Sequence, residues 1–466
     1  MDVNEQGAPL NTNRSARGGK PAKSGYVASS TLWISAAILL LSVTNPVSFS
    51  LASAAQAEPK ASTPPSSTLR LSLDEALALF LRQNLDLITV RFGIDYARAQ
   101  QITAGLFPNP VLSVATLGSF SKEQRGVPSN LSRSGQVYTQ VQQLFEMAGK
   151  RGYRIESSAF GTKSTEANFE DAIRQLSFTV KDTYYRVQLA QRRLALAEEN
   201  RDRFARILEV NTIRFKKGYI AEVDLIRIRL QVVDFQSQVI QAVQEANAAR
   251  ADLRVLLRLS PAVKLELTTE LEYHRVDPDI AVLRLVAIDT RPDIRVKRLV
   301  QSQRMADLKL AKAYRYPDVT AGGGYAVQGP TGPDNQQQFG LSLGVPVPLF
   351  NRNQGGIAQA EVGVQVAEAE FQKTLNQVEN QVDLAYRNLL QSRQLVEAYQ
   401  AGVLDDARSV FTIVERAYER GGATILDLLD AARTSRLIQQ NYIETLFNYQ
   451  RNVFLLESAV GREITS

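Results

Sequence analysis

Apolar residues recur along this chain in two rhythms. From Phe169 to Phe215 they step by four and three alternately, through Ile173, Leu176, Val180, Val187, Leu194, Phe204 and Leu208, with Thr183, Arg201 and Asn211 as polar steps. No Gly or Pro interrupts that run. A helix from about Tyr153 to Phe215 would be roughly 95 Å long at ~1.5 Å per residue. A return helix keeps the same spacing from Leu225 to Leu256, and the pattern comes back from Leu375 to Ala417 and, less regularly, from about Ile425 to Ala459. A mean spacing of 3.5 predicts left-handed coiled coils. The many Ala steps predict close side-by-side packing, as in a sheet or cylinder of helices.

The second rhythm is alternation. Val137, Thr139 and Val141 alternate with Gln136, Tyr138, Gln140 and Gln142, which predicts a strand over 136–144. Further strands are expected at 111–117, 319–327 and 339–345; in the last, Phe339, Leu341, Leu343 and Val345 share one face. Polar, turn-forming loops, 119–134 and 328–338, separate the members of each pair. A helix starting at the Ser72–Glu75 capping box precedes the first pair and stops before Pro108. A helix over about 293–314 precedes the second and stops before Pro317.

The order is thus written twice. Phe215 matches Tyr418, Gly218 matches Gly421, Asp224 matches Asp427 and Leu225 matches Leu428, all at an offset of 203. Phe107-Pro108 matches Tyr316-Pro317, and Leu144-Phe145 matches Leu349-Phe350. The expected fold is mainly α with a small β part, built from a duplicated helix-strand-strand-long helix-helix unit. The two repeats are placed at 71–275 and 276–466, after a signal segment at 1–57 and a flexible Pro/Ser-rich leader at 58–70. The signal reading rests on a basic lead, an apolar core from Leu32 to Val43 and the small-x-small site Ala55-Gln56-Ala57.

Composition removes most chemistry. There is no Cys and a single His, His274, in a polar stretch where it reads as a surface residue. Disulfides, thiolate ligands and a His-built zinc or copper site within one chain are excluded. The formal charge is +6, of which +2 lies in residues 1–57, and the rest forms no basic block, so nucleic acid is not an expected partner. No phosphate loop, no Ser/His/Asp set and no metal cluster is legible, so neither an enzyme nor a cofactor is expected.

After residue 57 no segment is apolar enough to cross a bilayer as a helix. A sheet in lipid must close on itself, and four strands are too few. Export together with short strands beside long rods therefore points to several chains sharing one barrel. The alternative from the same pattern is a soluble periplasmic coiled-coil structural protein.

Over nearly the whole chain after the leader, the sequence resembles the TolC-like outer-membrane efflux proteins. LSLDEALALFLRQNLDL (71–87) is similar to their N-terminal helix, while QQLFEMAGKR (142–151) and GVPVPLFNRNQGG (344–356) resemble the CzcC-like heavy-metal cation efflux branch. The resemblance implies a homotrimer with a 12-stranded barrel in outer-membrane lipid and a periplasmic α-helical tunnel. It implies two partners, a periplasmic membrane-fusion adaptor and an inner-membrane pump of the RND type or similar. It places the adaptor-contacting tip at Gly218, Tyr219, Ile220, Gly421 and Gly422, and the constriction at Asp224, Tyr418, Asp427 and Asp430. The family's latch arginine would fall at Ala423, with Arg420 nearby, a departure that puts the latch pair in doubt. The cargo implied is a metal cation, with a drug or small organic molecule as the alternative.

Overall fold

The computed structural model describes residues 68–117, 136–328 and 337–464. The signal segment, residues 58–67 of the leader and the greater part of both inter-strand loops lie outside the described residues. In chain order the elements are β1 (Thr68–Leu71), α1 (Leu73–Gln83), α2 (Leu85–Gly105), β2 (Val111–Leu117), β3 (Gln136–Phe145), α3 (Lys150–Lys216) and α4 (Glu222–Leu256). There follow β4 (Lys264–Leu267), α5 (Ile280–Thr290), α6 (Pro292–Ala313), β5 (Val319–Gln328), β6 (Gln337–Gly344), α7 (Gln354–Ala398), α8 (Leu404–Glu419) and α9 (Ile425–Val460). The first rod, both return helices and the four strands stand where the two rhythms place them, within a few residues at each end; the second rod starts at Gln354, 21 residues before Leu375, the first step of its apolar ladder.

β2, β3, β5 and β6 form one antiparallel sheet in that order, so β2 and β6 are its two open edges. The register puts Leu112, Val141, Gly323 and Leu341 in one row and Val114, Thr139, Tyr325 and Phe339 in the next. This face is apolar and bare: Phe339, Leu341 and Leu343 are 74–82% exposed. The opposite face is polar and glycine-rich. Gln140 Nε2 donates to Ser342 Oγ at 2.7 Å, and Tyr138 lies over Gly324, where a Cβ would come within 2.5 Å of the phenol oxygen. None of the four strands carries a charged residue. A naked apolar face opposite a wet one is the pattern of a lipid-facing sheet, not of a soluble hairpin.

At the rod-proximal end of the strands stand Phe107, Phe145, Tyr316 and Phe350, all exposed. Aromatics in this position suit a membrane–water interface. Just below them is a polar knot. Lys150, 3% exposed, donates to Asp318 Oδ1 at 2.7 Å and to the Tyr316 carbonyl at 2.8 Å, and the Met147 N–H donates to the same Asp318 oxygen at 2.8 Å. Arg154 pairs with Glu146 and donates to the Ala104 carbonyl at 2.9 Å. Ala148 and Gly149, with φ of 56° and 72°, turn the chain sharply from β3 into α3. The GKR segment of 142–151 thus builds the joint between sheet and rod.

The structure differs from the sequence reading in four further places. A strand precedes the capping box: Thr68–Leu71, which begins within the leader placed at 58–70, pairs in parallel with Lys264–Leu267. The first helix is broken at Asn84, whose side chain accepts from the Asp86 and Leu87 N–H groups and donates to the Leu256 carbonyl. A separate helix, α5, precedes α6. Finally, the second rod is interrupted by a π turn, Tyr399–Val403, in which Gly402 takes φ 129°; α3 runs unbroken.

These additions make a belt around the middle of the rods. Tyr184 of α3 is fully buried there; its hydroxyl donates to the Leu71 carbonyl at 2.9 Å and accepts from the Thr269 N–H at 3.1 Å. One phenol therefore ties β1 and the segment just after β4 to a rod. Tyr184→Phe strips the Thr269 N–H of this acceptor, while the Leu71 carbonyl keeps the Thr268 N–H at 3.0 Å; it is expected to cost about 1–3 kcal/mol, read as a lowered thermal midpoint at unchanged helix content.

Candidate functional site

Both rods end in the same turn. At the foot of α3 the Tyr219 N–H donates to the Arg214 carbonyl (2.9 Å) and the Gly218 N–H to that of Phe215 (2.8 Å). At the foot of α8 the Gly422 N–H donates to the Ala417 carbonyl (2.8 Å) and the Gly421 N–H to that of Tyr418 (3.1 Å). Each is a Schellman closure, which needs a left-handed residue after the cap; Gly218 and Gly421 supply it at φ 76° and 81°. Space is not the reason for glycine, since an added Cβ at either position meets no atom within 4 Å. Tyr219, 74% exposed, projects from the first turn.

The helices that leave the turns start differently, and this separates the two matched aspartates. Thr424 and Asp427 form a complete capping box on α9: the Thr424 hydroxyl and N–H donate to Asp427 Oδ2 at 2.7 and 2.8 Å. Those two bonds hold the Asp427 carboxyl below the usual carboxylate pKa. On α4 the corresponding residue is Ala221, which has no side chain to cap with. Asp224 is thereby released from capping and pairs with Arg227 at 3.3 Å.

Asp224, Tyr418, Tyr219, Ile220 and Gly421 line one cleft of about 930 Å³ between the two hairpin tips. Asp430 lies in a neighbouring cleft of about 470 Å³, with Asp234, Arg433 and Arg436. Of the four expected constriction residues, then, two share a cleft, one caps a helix and one lines the next cleft. Ala423, at the position of the expected latch arginine, packs against the apolar cluster of the tip.

Asn211, a polar step of the α3 ladder, was not singled out by sequence. It is 2% exposed, and its Oδ1 accepts from the Tyr418 hydroxyl at 2.8 Å. Burial pushes the Tyr418 phenol above its ordinary pKa, with Arg214 opposing and Asp224 reinforcing the shift. Arg214 lies over the Tyr418 ring, 5.9 Å from its centroid, and donates to the Glu419 carbonyl at 2.6 Å. Arg203, higher on α3, lies 4.9 Å from the Phe411 centroid on α8. The one available sequence signal was the polar break in an apolar ladder, three residues above Arg214.

Comparison with known proteins places this arrangement. The family model "Outer membrane efflux protein" matches residues 76–257 and 284–462. The cobalt-zinc-cadmium resistance protein CzcC of Cupriavidus metallidurans is 23% identical over 392 residues, covering 84% of this chain and 90% of that protein. The outer membrane protein TolC of Escherichia coli K12 is 22% identical over 357 residues, covering 73% of this chain and 71% of that one. Among solved structures, CusC, described for conformational changes accompanying folding and transmembrane channel formation, superposes with a TM-score of 0.71 at 19% identity. That superposition covers 84% of this chain and 92% of CusC.

Proposed function

The chain belongs to the outer membrane efflux protein family, and from that membership we propose that it forms, as a homotrimer, the exit duct of a tripartite metal-cation efflux system. The observation that carries this reading is the joining of an uncharged sheet, apolar on one face, to rods that end in matched Gly-centred tips. With four strands per chain, three copies bring twelve, enough for a closed barrel. The rods of three chains then enclose the periplasmic tunnel. The tips, from the first of which the exposed Tyr219 projects, meet a periplasmic membrane-fusion adaptor, which couples the duct to an inner-membrane pump of the RND type or similar.

The duct does no chemistry; the pump supplies the energy. Three copies of Asp224, Tyr418, Asp427 and Asp430 surround the narrow end, where carboxylate rings concentrate cations. The metal assignment rests on the similarity to CzcC along most of both chains. With no Cys and one His, the duct has few ligands with which to choose its cargo, so selectivity belongs to the pump.

Deleting the gene is expected to lower tolerance of cobalt, zinc or cadmium several-fold and leave tolerance of lipophilic antibiotics unchanged. The reverse pattern would move the reading to an organic cargo. No change in either would count against export.

A further inference from the structure

The rod-proximal edge of the sheet carries more positive charge than its own joint uses. The segments leading into and out of the four strands there, 104–110, 144–154, 313–319 and 345–354, hold five cations, Lys150, Arg151, Arg154, Arg315 and Arg352, and two carboxylates, Glu146 and Asp318. Both carboxylates are taken, Asp318 by Lys150 and Glu146 by Arg154. Arg151, Arg315 and Arg352 have no carboxylate partner among the described residues. Arg151 Nε donates to the Gly105 carbonyl at 2.7 Å and Arg352 Nε to the Pro348 carbonyl at 3.3 Å, so each keeps its outer nitrogens for another acceptor. The exposed Arg315 side chain makes no hydrogen bond or ion pair among the described residues. Each of the three stands beside an exposed ring. Arg151 lies 4.1 Å from the Phe107 centroid, Arg315 sits between Tyr314 and Tyr316, and Arg352 follows Phe350 by two residues.

We propose that this edge is a binding surface for anionic phospholipid of the periplasmic leaflet, with Arg151, Arg315 and Arg352 holding the headgroup phosphates. This rests on the reading of the apolar sheet face as lipid-facing. An uncharged apolar wall, then exposed rings, then unpaired guanidiniums is the order a phospholipid presents from acyl chain to headgroup. The guanidinium fork matches two phosphate oxygens at once, which suits these residues to phosphate better than lysine would be. The charge left over also selects among lipids. A zwitterionic headgroup brings its own ammonium to the surface, whereas phosphatidylglycerol brings only negative charge. Three copies of the chain bring nine such guanidiniums. Facing the bore of a cation duct they would repel the cargo; on the outer wall they meet the headgroups continuous with the lipid already against the sheet.

The test titrates the purified full-length protein in mild detergent with phosphatidylglycerol, with phosphatidylcholine of the same acyl chains and with inorganic phosphate. Retained lipid is read by native mass spectrometry and stabilisation by the thermal midpoint. Phosphatidylglycerol is expected to bind on the order of tenfold more tightly than phosphatidylcholine and to raise the midpoint. Arg151→Gln, Arg315→Gln and Arg352→Gln together are expected to abolish that preference. Arg315→Gln alone removes no hydrogen bond or ion pair seen among the described residues; it should weaken the preference, and it keeps the proposal testable if the triple variant does not assemble. Equal retention of the two lipids by the parent, or a preference that survives the triple variant, would overturn the surface. The same stabilisation by inorganic phosphate would reduce it to a free-anion site and overturn the lipid assignment. Variants that change conductance in planar bilayers with lipid retention unaltered would place the arginines in the bore, which also overturns it. A parent that inserts into bilayers without lipid preference leaves the lipid-facing sheet standing; one that inserts into none would overturn both.

Discussion

Replacing Lys150 by methionine is expected to destabilise each chain by about 3–5 kcal/mol, the usual result of stranding one member of a buried ion pair. The lysine reaches Asp318 and the Tyr316 carbonyl from a position almost wholly out of water. Methionine fills the same space and keeps the aliphatic contacts, but leaves the Asp318 carboxylate with only the Met147 N–H as a polar partner from this group. The joint between sheet and rod should loosen first, because the same carboxylate fixes both the end of β3 and the start of β5. The readout is the yield of detergent-stable trimer and its thermal midpoint. The paired substitution Lys150→Met with Asp318→Leu should recover much of the loss, since an apolar pair leaves no charge unpartnered. Equal stability of the Lys150→Met variant and the parent would show that the joint does not depend on this pair.

The second large effect depends on which face of β6 a charge is placed. Arginine at Leu341 would point from the bare apolar face, at an expected cost of about 2–4 kcal/mol per chain near the middle of a bilayer. Its cross-strand neighbour is Gly323, which offers no side chain to shelter the guanidinium. One residue away, Gly340 lies on the polar face, with no atom within 4 Å of an added Cβ. Gly340→Arg is therefore expected to assemble and to shift ion selectivity toward anions, while Leu341→Arg is expected to be depleted from the outer membrane. Equal abundance of the two variants there would contradict the assignment of the apolar face to lipid.

Much of this architecture was legible because it is written in local periodicity. The α3 and α4 rods follow from four-three spacing, the strands from alternation, and the two turns from Gly218 and Gly421, where only the backbone angle matters. What was not legible depends on partners distant in sequence. Asn84 looks like any polar residue in a helix until its amide meets the Leu256 carbonyl. Thr68–Leu71 has too little pattern to be a strand without Lys264–Leu267 beside it. Gly402 lies off the apolar stripe, between the ladder steps Tyr399 and Val403, so the spacing ran across the π turn unchanged. At the tip, the repeat correctly paired Asp224 with Asp427 by position. It carried no sign that Thr424 would claim one carboxylate for capping while Ala221 left the other free.

Because the chain has no cysteine, edge pairing between copies can be tested by cross-linking without background. Ser113→Cys on β2 is combined in turn with Gly340→Cys, Ser342→Cys or Gly344→Cys on β6, all on the polar face. Within one chain β3 and β5 stand between these edges, a separation of about 14 Å at ~4.8 Å per strand, too far for a disulfide, which needs Cα atoms within about 7 Å. At least one pair is predicted to give, on mild oxidation of outer membranes, covalent species of two and three chains that collapse to one on reduction. Single-chain bands alone from every pair would contradict closure of the barrel between copies, and with it the duct.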